Sequence, residues 1–305
     1  MDSTLLSTNF AGLQLANPTI LASGIMGYSA ESMNRIVEAG AGAVVTKSVG
    51  VEPRVGYMNP TVVQVTAGLI NAMGLPNPGI DVYAEEIKFS KVVLRVPLIV
   101  SVFGYSAEDY VTVAQKAAKA GADAIELNVS CPHVKQTGAE IGQNPKLLSE
   151  VVEKVKAGIN KPLIVKLSPN VADITVFAQA AIEAGADALT AVNTLKAIAI
   201  DMETMMPILN NVKGGLSGAA IKPVALRCVY DIADAFDVPI IGCGGVSNWR
   251  DAVEFFLAGA SAVQIGTAVA DDIEVFQSVT KGVETYLRKK HFRSVKEIVG
   301  LAHRK

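Results

Sequence analysis

The sequence contains few cysteines. There are three, Cys131, Cys228 and Cys243, and no two of them have the spacing of a Cys-x-x-Cys motif. An odd number of cysteines without paired spacing argues against a disulfide framework, a structural zinc site or a cysteine-ligated cluster in this chain. We therefore expect no metal site here, and a reducing, cytoplasmic location.

Charge is also scarce. Charged residues make up 18% of the chain and the formal net charge is −2. The sequence has no run of Lys and Arg of the kind that binds nucleic acid or an anionic membrane surface. Residues 1–10 lack the basic and apolar segments of a signal peptide, and the apolar runs are far shorter than the roughly 20 residues of a membrane-spanning helix. We expect the partners to be small molecules or proteins.

Hydrophobic residues are abundant, at 50% of the chain, and they are organised by two repeated phrases. A phrase of alternating alanine and glycine follows a helical pattern and precedes a short apolar run at 39–43, 120–124, 184–188 and 258–262. Between these lies an X-Pro step that opens an apolar run, at 17–20, 96–99, 161–164 and 238–241. Gly just beyond a helix and Pro at the first residue of a strand mark the ends and beginnings of elements. The two phrases together predict eight strand starts.

Eight strands that alternate with helical segments predict a closed parallel (β/α)8 TIM barrel, with residues 1–305 as a single domain. Helices are predicted over 106–120, 144–159, 171–184, 223–236 and 248–258. A doubly wound open sheet is the alternative. Residues 4–10 and 13–15 flank Ala11-Gly12 and predict an N-terminal β-hairpin that covers the N-terminal face of the barrel. Residues 48–79 and 193–222 are longer than ordinary loops, which is typical of functional segments.

Barrel enzymes carry their chemistry at the carboxyl ends of the strands. The residues at those ends are Ser23, Lys47, Ser101, Asn128, Lys166 and Asn193, followed by the turns Gly244-Gly245 and Gly266-Thr267. A lysine at a strand end can simply extend to solvent, but two lysines at one rim favour an anionic ligand. Two glycine turns after the last two strands can be ordinary tight turns, yet barrels often bind a phosphate there. We expect a phosphorylated cofactor to lie across the mouth.

Cys131 is the candidate nucleophile or base. It follows the fourth strand inside a polar loop, whereas Cys228 on a helix and Cys243 beside a strand fit the usual role of a small buried hydrophobe. His133 is close in sequence, but residues two apart across a proline need not face each other. We treat His133 as a loop residue.

Four segments together resemble class 1 dihydroorotate dehydrogenases, and the similarity covers the whole chain. They are Asn71 to Asn77, Asn128 to Cys131, Asn193 to Leu195 and Gly214 to Gly218. The last two, with Ile200-Asp201 and Ile221-Lys222-Pro223, resemble the 1B type. That resemblance implies a heterotetramer of two catalytic chains, paired as a homodimer, and two electron-transfer chains that carry FAD and a 2Fe-2S cluster and pass electrons to NAD.

The resemblance also implies the site residues. FMN would be held by Ser23, Lys47, Ser48, Ser101, Asn128, Lys166, Val192, Gly218, Gly244, Gly245, Gly266 and Thr267. Dihydroorotate and orotate would be held by Lys47, Asn71, Ala72, Met73, Gly74, Leu75, Asn128, Asn193 and Thr194. Cys131 would remove a proton from the substrate ring while the neighbouring carbon delivers hydride to the flavin, and Lys166 would stabilise charge on the reduced flavin. One position departs from the pattern, because Ser101 stands where 1B enzymes commonly carry asparagine.

Three alternatives remain open from sequence. Dihydropyrimidine dehydrogenase shares the barrel and a cysteine loop but acts on uracil, which has no carboxylate for Lys47 to meet. A flavin-free barrel lyase or isomerase could use the same glycine turns for a phosphorylated substrate. A catalytically silent scaffold subunit is disfavoured, because the base, lysines and amides are all present.

Overall fold

A computed structural model describes residues 3–129 and 141–304. Eight parallel strands form a closed barrel, in which each strand pairs with the next along the chain and the last pairs with the first. They are β3 (Thr19–Leu21), β4 (Ala43–Val45), β7 (Leu98–Val102), β8 (Ala124–Asn128), β9 (Leu163–Leu167), β10 (Ala188–Ala191), β15 (Ile240–Cys243) and β16 (Ala262–Ile265). The predicted barrel is confirmed, and the open sheet is excluded.

Helices alternate with these strands. The α-helices are α1 (Ser3–Leu6), α2 (Ala30–Glu38), α3 (Ile80–Val93), α4 (Ala107–Ala120), α5 (Pro145–Gly158), α6 (Ile174–Glu183), α7 (Lys222–Ala235), α8 (Trp249–Leu257), α9 (Ala268–Asp271) and α10 (Val275–Lys289). Short 3₁₀ helices cover Ala219–Ile221, Val295–Ile298 and Leu301–His303. Four of the five predicted helices begin and end within one residue of the expected positions. The helix predicted from residue 171 begins at Ile174 instead, because Asp173 accepts a hydrogen bond from the Thr175 amide and caps it there.

The repeated glycine phrase closes each helix as its sequence predicts. Gly40, Gly121, Gly185 and Gly259 all have φ between 98° and 115°, a region that favours glycine. In the second copy of this glycine motif, at 120–124, the Asp123 carboxylate accepts hydrogen bonds from the Leu98 amide and from Lys91. In the third copy, at 184–188, the Asp187 carboxylate accepts in the same way from the Leu163 amide and from Lys156. The repeat therefore joins each of these strands to the helix and strand beside it.

An N-terminal hairpin closes the end of the barrel at which the strands begin. Strands β1 (Thr8–Phe10) and β2 (Leu13–Leu15) pair antiparallel, and Ala11 and Gly12 form the turn with positive φ. The hairpin is shorter than the predicted 4–10 segment, because residues 4–6 belong to α1, whose Leu5 and Leu6 are buried in the outer core. The apolar hairpin side chains pack against inward-facing barrel residues, which include Ile20, Val45, Ile99, Ala124, Ile164 and Ile241.

The two long segments fold together over the opposite end. Strands β5 (Val62–Val65), β6 (Gly68–Asn71), β11 (Leu195–Ala197) and β14 (Gly214–Ser217) form one antiparallel sheet in the order β11-β14-β6-β5. A second hairpin, β12 (Ile200–Asp201) and β13 (Met206–Pro207), lies between β11 and β14 in sequence. In the part of the chain described here, no helix is both long and apolar enough to cross a membrane.

The interior of the barrel changes from apolar to polar along its axis. Near the hairpin the inward positions are Ala, Val and Ile. Two residues further along the same strands they become Ser101, Glu126, Lys166, Thr190 and Gln264, all buried. Since successive side chains of a strand point to opposite faces, residues two apart share the interior. The polar layer therefore lies toward the carboxyl ends of the strands.

Candidate active site

A chain of hydroxyl and amide groups connects five of the predicted site residues across the mouth of the barrel. The Ser48 hydroxyl lies 3.4 Å from that of Ser23 and 2.9 Å from that of Ser101. The Asn128 amide donates to Ser48 Oγ at 3.0 Å, and the Asn193 amide donates to Asn128 Oδ1 at 3.2 Å. Ser101 and Asn128 lie near the ends of β7 and β8, and the other three residues follow β3, β4 and β10. Closure of the barrel therefore brings the five side chains together.

Ser101 is the most deeply buried of these five residues, with no exposed surface. Its hydroxyl contacts Ser48, and its backbone amide donates to Thr46 Oγ1 at 3.1 Å. The serine at this position therefore supports Ser48 from within the barrel.

Lys166 enters a second polar network, whose members Lys166, Glu126, Thr190 and Gln264 are all buried. Its ammonium donates to Gln264 Oε1 at 2.7 Å, and the Gln264 amide donates to Glu126 Oε2 at 2.6 Å. Thr190 donates to the same carboxylate oxygen at 3.0 Å. Burial by itself lowers the pKa of Lys166, but the acidic neighbours Cys243 and Glu126 outweigh it and leave that pKa above its ordinary value. The lysine is a buried cation at the floor of the mouth.

Lys47 has different neighbours from Lys166. It is 8% exposed, and its ammonium is 5.4 Å from the centre of the Tyr28 ring. A cavity of about 420 Å³ opens beside Lys47 and Ser48 and is lined further out by Tyr28, Pro76, Tyr83 and Phe89. The Tyr83 hydroxyl donates to the Gly27 carbonyl at 2.8 Å, which ties α3 to the loop after β3. The two predicted lysines therefore contact different partners.

The predicted substrate loop begins at the end of β6, an inner strand of the antiparallel sheet. The Asn71 amide donates to the Gly215 carbonyl at 3.3 Å, and the Ala72 amide to the Thr61 carbonyl at 2.8 Å. The Met73 carbonyl accepts from the Tyr57 amide, and the Gly74 carbonyl from Arg54 Nε. Leu75, which ends the loop, is buried against the outer core. Hydrogen bonds of the Asn71 side chain and of the backbone of residues 72–74 therefore hold this segment, and burial holds Leu75.

Two hydrogen bonds attach this sheet to the mouth of the barrel. Thr267 donates to Ser217 Oγ at 2.8 Å, and Asn170 donates to the Thr194 carbonyl at 2.9 Å. The Thr194 amide in turn donates to Asn193 Oδ1 at 2.8 Å. The sheet therefore covers the same face on which the hydroxyl and amide chain lies.

The glycines of the predicted phosphate turns differ in backbone conformation and in the space that a side chain would have. Gly218, Gly244 and Gly245 have φ of 95°, 124° and 86°. A Cβ on Gly245 would lie 2.9 Å from the Lys222 backbone nitrogen, and one on Gly244 would lie 2.9 Å from the Ala225 Cβ, so helix α7 requires both. A Cβ on Gly266 would meet only Ala22 Cβ, at 3.3 Å, and is otherwise open. Gly266 is the turn position with free space beside it.

The remaining predictions concern Val192, Cys131, His133 and Cys228. Val192 is buried, and its amide donates to the Cys243 carbonyl at 2.7 Å, which joins the loop after β10 to β15. Cys131, the candidate base, lies outside the described residues, as does His133. Cys228 is buried on α7, as expected for a small apolar residue.

Sequence reasoning missed several residues of the site. Glu126, Thr190 and Gln264 hold Lys166, Tyr28 lies against Lys47, and Asn170 bridges β9 to the sheet. A signal was present for Glu126 and Gln264, because each is a polar residue inside an otherwise apolar strand of a buried sheet. Tyr28 and Asn170 lie in loops, where the sequence has no periodicity to interpret.

The chain is similar to known proteins over nearly its whole length. Residues 5–287 match the family described as dihydroorotate dehydrogenase. The chain is 55% identical over 303 residues to a protein of Thermococcus kodakarensis, with 99% of each chain covered. It is 51% identical over 299 residues to a protein of Methanocella arvoryzae, with 98% of each covered. Both relatives are described as dihydroorotate dehydrogenase B (NAD(+)), catalytic subunit.

A solved structure supports the fold. The crystal structure of DHODH in complex with ferulenol from Eimeria tenella superposes with a TM-score of 0.86 at 23% sequence identity. The match covers 98% of this chain and 89% of that one. At this identity the likeness concerns the barrel architecture.

Proposed function

The chain belongs to the dihydroorotate dehydrogenase family, and from this premise we propose how its residues oxidise dihydroorotate to orotate. It is an oxidoreductase of pyrimidine biosynthesis that acts on a CH–CH bond, most similar to the class 1B catalytic subunit. The observation that carries the proposal is the hydrogen-bonded series of side chains that runs from Ser23 through Ser48 and Asn128 to Asn193. It crosses the barrel mouth, where the buried Lys166 also lies.

The described residues fit FMN. Hydroxyl and amide groups that match the polar edge of a flavin line the mouth, a buried ammonium lies at its floor, and the open side of Gly266 leaves room for a phosphate. We assign the flavin to Ser23, Lys47, Ser48, Ser101, Asn128, Lys166, Val192, Gly218, Gly244, Gly245, Gly266 and Thr267. When bound, FMN supplies a hydride acceptor. Lys166 contributes positive charge where negative charge develops during that transfer.

The substrate is assigned to the opposite side of the same mouth. Asparagine amides both donate and accept, so Asn71, Asn128 and Asn193 suit the carbonyl and N–H edges of a pyrimidine. Lys47 suits its carboxylate. The remaining assigned contacts are Ala72, Met73, Gly74, Leu75 and Thr194. Their backbone bonds hold this wall in place, which favours a fixed orientation of the ring.

Cys131 is the proposed base. It takes the proton from the ring carbon beside a carbonyl, while the neighbouring ring carbon loses hydride. A thiol has an ordinary pKa near 8.5, so its reactive form increases as the pH rises toward that value.

The names of the relatives describe catalytic subunits, which supports a partner chain. We propose that electrons leave toward NAD through an electron-transfer chain that carries FAD and a 2Fe-2S cluster. We further propose a heterotetramer built on a homodimer of this chain, a cytoplasmic location, and one domain over residues 1–305.

The proposal is tested by anaerobic reduction of the bound flavin with dihydroorotate, followed by stopped-flow absorbance. The flavin band should bleach, and Cys131→Ser should slow bleaching at neutral pH by about 10²- to 10⁴-fold, because a hydroxyl ionises far less readily than a thiol. The slow rate should recover in part in alkali. Cys228→Ala, in the buried thiol of α7, is the matched control and should leave the rate unchanged.

Three outcomes would contradict the proposal. Protein that binds no flavin would exclude FMN chemistry, and efficient uracil reduction with no response to dihydroorotate would favour a dihydropyrimidine dehydrogenase. An unchanged rate in Cys131→Ser at pH 7 would show that another group is the base.

A further inference from the structure

A buried charge pair lies beneath the proposed flavin site. Glu126 and Thr190 are 0% exposed, Gln264 is 1% exposed and Lys166 is 5% exposed. Lys166 Nζ lies 3.8 Å from Glu126 Oε1, and that carboxylate oxygen has no hydrogen-bond partner among the described residues. The other carboxylate oxygen, Oε2, accepts from both Gln264 and Thr190. The carboxylate is therefore held firmly on one side and open toward the lysine on the other.

Glu126 is the countercharge that Lys166 requires. A buried ammonium is costly unless an anion lies near it. The Cys243 thiol also adjoins the lysine, but burial raises its pKa, so the Glu126 carboxylate is the main anion beside Lys166. Among the described residues, Glu126 is the carboxylate within ion-pair distance of Lys166 Nζ, at 3.8 Å.

Gln264 separates the two charges. Its carbonyl oxygen accepts from Lys166 and its amide nitrogen donates to Glu126, so Gln264 bridges the two charges, which lie 3.8 Å apart. An ammonium has three donors, and this arrangement uses one of them on Gln264.

We propose that Glu126, held by Thr190 and Gln264, is a positioning residue that fixes Lys166 at the floor of the flavin site and partly balances its charge. The balance keeps the reduction potential of the bound flavin below the value that an unpaired lysine would set. This inference rests on the proposed function, since it assigns the ligand above Lys166 as FMN.

Two substitutions should shift the potential in opposite directions. Glu126→Gln keeps the shape but removes the negative charge, so it should favour reduced over oxidised FMN by about tenfold, which equals about 30 mV for a two-electron couple. Gln264→Leu removes the spacer, so Lys166 should move onto Glu126 and the potential should fall. Both are measured by anaerobic spectroelectrochemical titration, together with FMN affinity. Ser90→Ala is the control, because the buried Ser90 hydroxyl also has no hydrogen-bond partner within residues 3–129 and 141–304, but it lies on α3.

A second measurement uses protein from which FMN has been removed. Lys166→Met leaves Glu126 buried without its partner, whereas Lys166→Met combined with Glu126→Gln leaves two neutral groups. The double variant should therefore have the higher Tm. This comparison needs no flavin, so it separates failure of the inference from failure of the proposed function.

The inference is overturned if Glu126→Gln and the parent have equal potentials, or if Gln264→Leu shifts the potential in the same direction as Glu126→Gln. It is also overturned if the double variant is no more stable than Lys166→Met alone. If Glu126→Gln does not fold, Gln264→Leu and the Tm comparison decide.

Discussion

At the scale of single residues, the structure separates glycines that the helices require from a glycine that leaves space for a ligand. A carboxylate placed at Gly245 would test phosphate binding poorly, because any Cβ there meets the Lys222 backbone at a φ of 86°. Gly266 has no positive φ, and only Ala22 Cβ lies near the added carbon. Of these turn glycines it is the one where an added carbon meets a single neighbour, Ala22 Cβ at 3.3 Å, which has to shift by only a few tenths of an ångström.

We therefore expect Gly266→Asp to bind FMN about tenfold more weakly than Gly266→Asn, or worse, because a carboxylate would repel the phosphate. Asp and Asn have nearly the same size, so their difference isolates the charge. The measurement is the dissociation constant of FMN, from the recovery of flavin fluorescence on dilution. Equal affinities in the two folded variants would place the phosphate elsewhere.

At the scale of elements, the N-terminal hairpin and the antiparallel sheet close opposite ends of the barrel. The hairpin contributes Phe10, Leu13 and Leu15 to an apolar plug, and the sheet carries polar groups to the mouth. Stability and chemistry should therefore respond separately to substitutions at the two ends.

Phe10→Ala should lower the free energy of unfolding by about 3–5 kcal/mol, because Phe10 is fully buried at the centre of the plug. Flavin reduction per folded molecule should be unchanged. Urea unfolding gives the first quantity, and stopped-flow absorbance of the folded fraction gives the second. Phe89→Ala is the control for stability, since Phe89 is 48% exposed and should cost much less. A large loss of flavin affinity in folded Phe10→Ala would show that the two ends are coupled.

At the scale of the whole molecule, one chain is expected to hold half of an electron-transfer path. Mixed with dihydroorotate, the purified chain should reduce an artificial dye acceptor, or fumarate at best, and should reduce NAD poorly. Addition of the electron-transfer chain should raise the rate of NADH formation, measured at the NADH absorption band. Sedimentation of the mixture should give the mass of a heterotetramer, and of this chain alone a homodimer.

Robust NAD reduction by the purified single chain would contradict this division of labour. So would a monomer in both sedimentation experiments. An unrelated protein of similar size serves as the control for nonspecific stimulation by added protein.

Local sequence signals predicted the framework because each depends on neighbours in the chain. Glycines such as Gly121 end helices, Ser106 and Asn144 begin them, and the apolar runs between are of strand length. The polar residues that follow each run, from Ser23 to Asn193, were predictable as one set because parallel strands of a barrel end on the same face. The resemblance in the Asn71 and Gly214 segments added the chemistry.

The sequence by itself determined the eight strands, their order and the residues at their ends, because helix caps, turns and apolar periodicity act over a few residues. Only the tertiary structure decided which of those residues meet. Glu126, Lys166, Thr190 and Gln264 come from four strands, and barrel closure sets which side chains of one interior layer lie within hydrogen-bond distance. In the same way, pairing of β6 with β14 joins segments that are 144 residues apart at Asn71 and Gly215. Long-range strand pairing depends on the whole fold, so no local pattern specifies it.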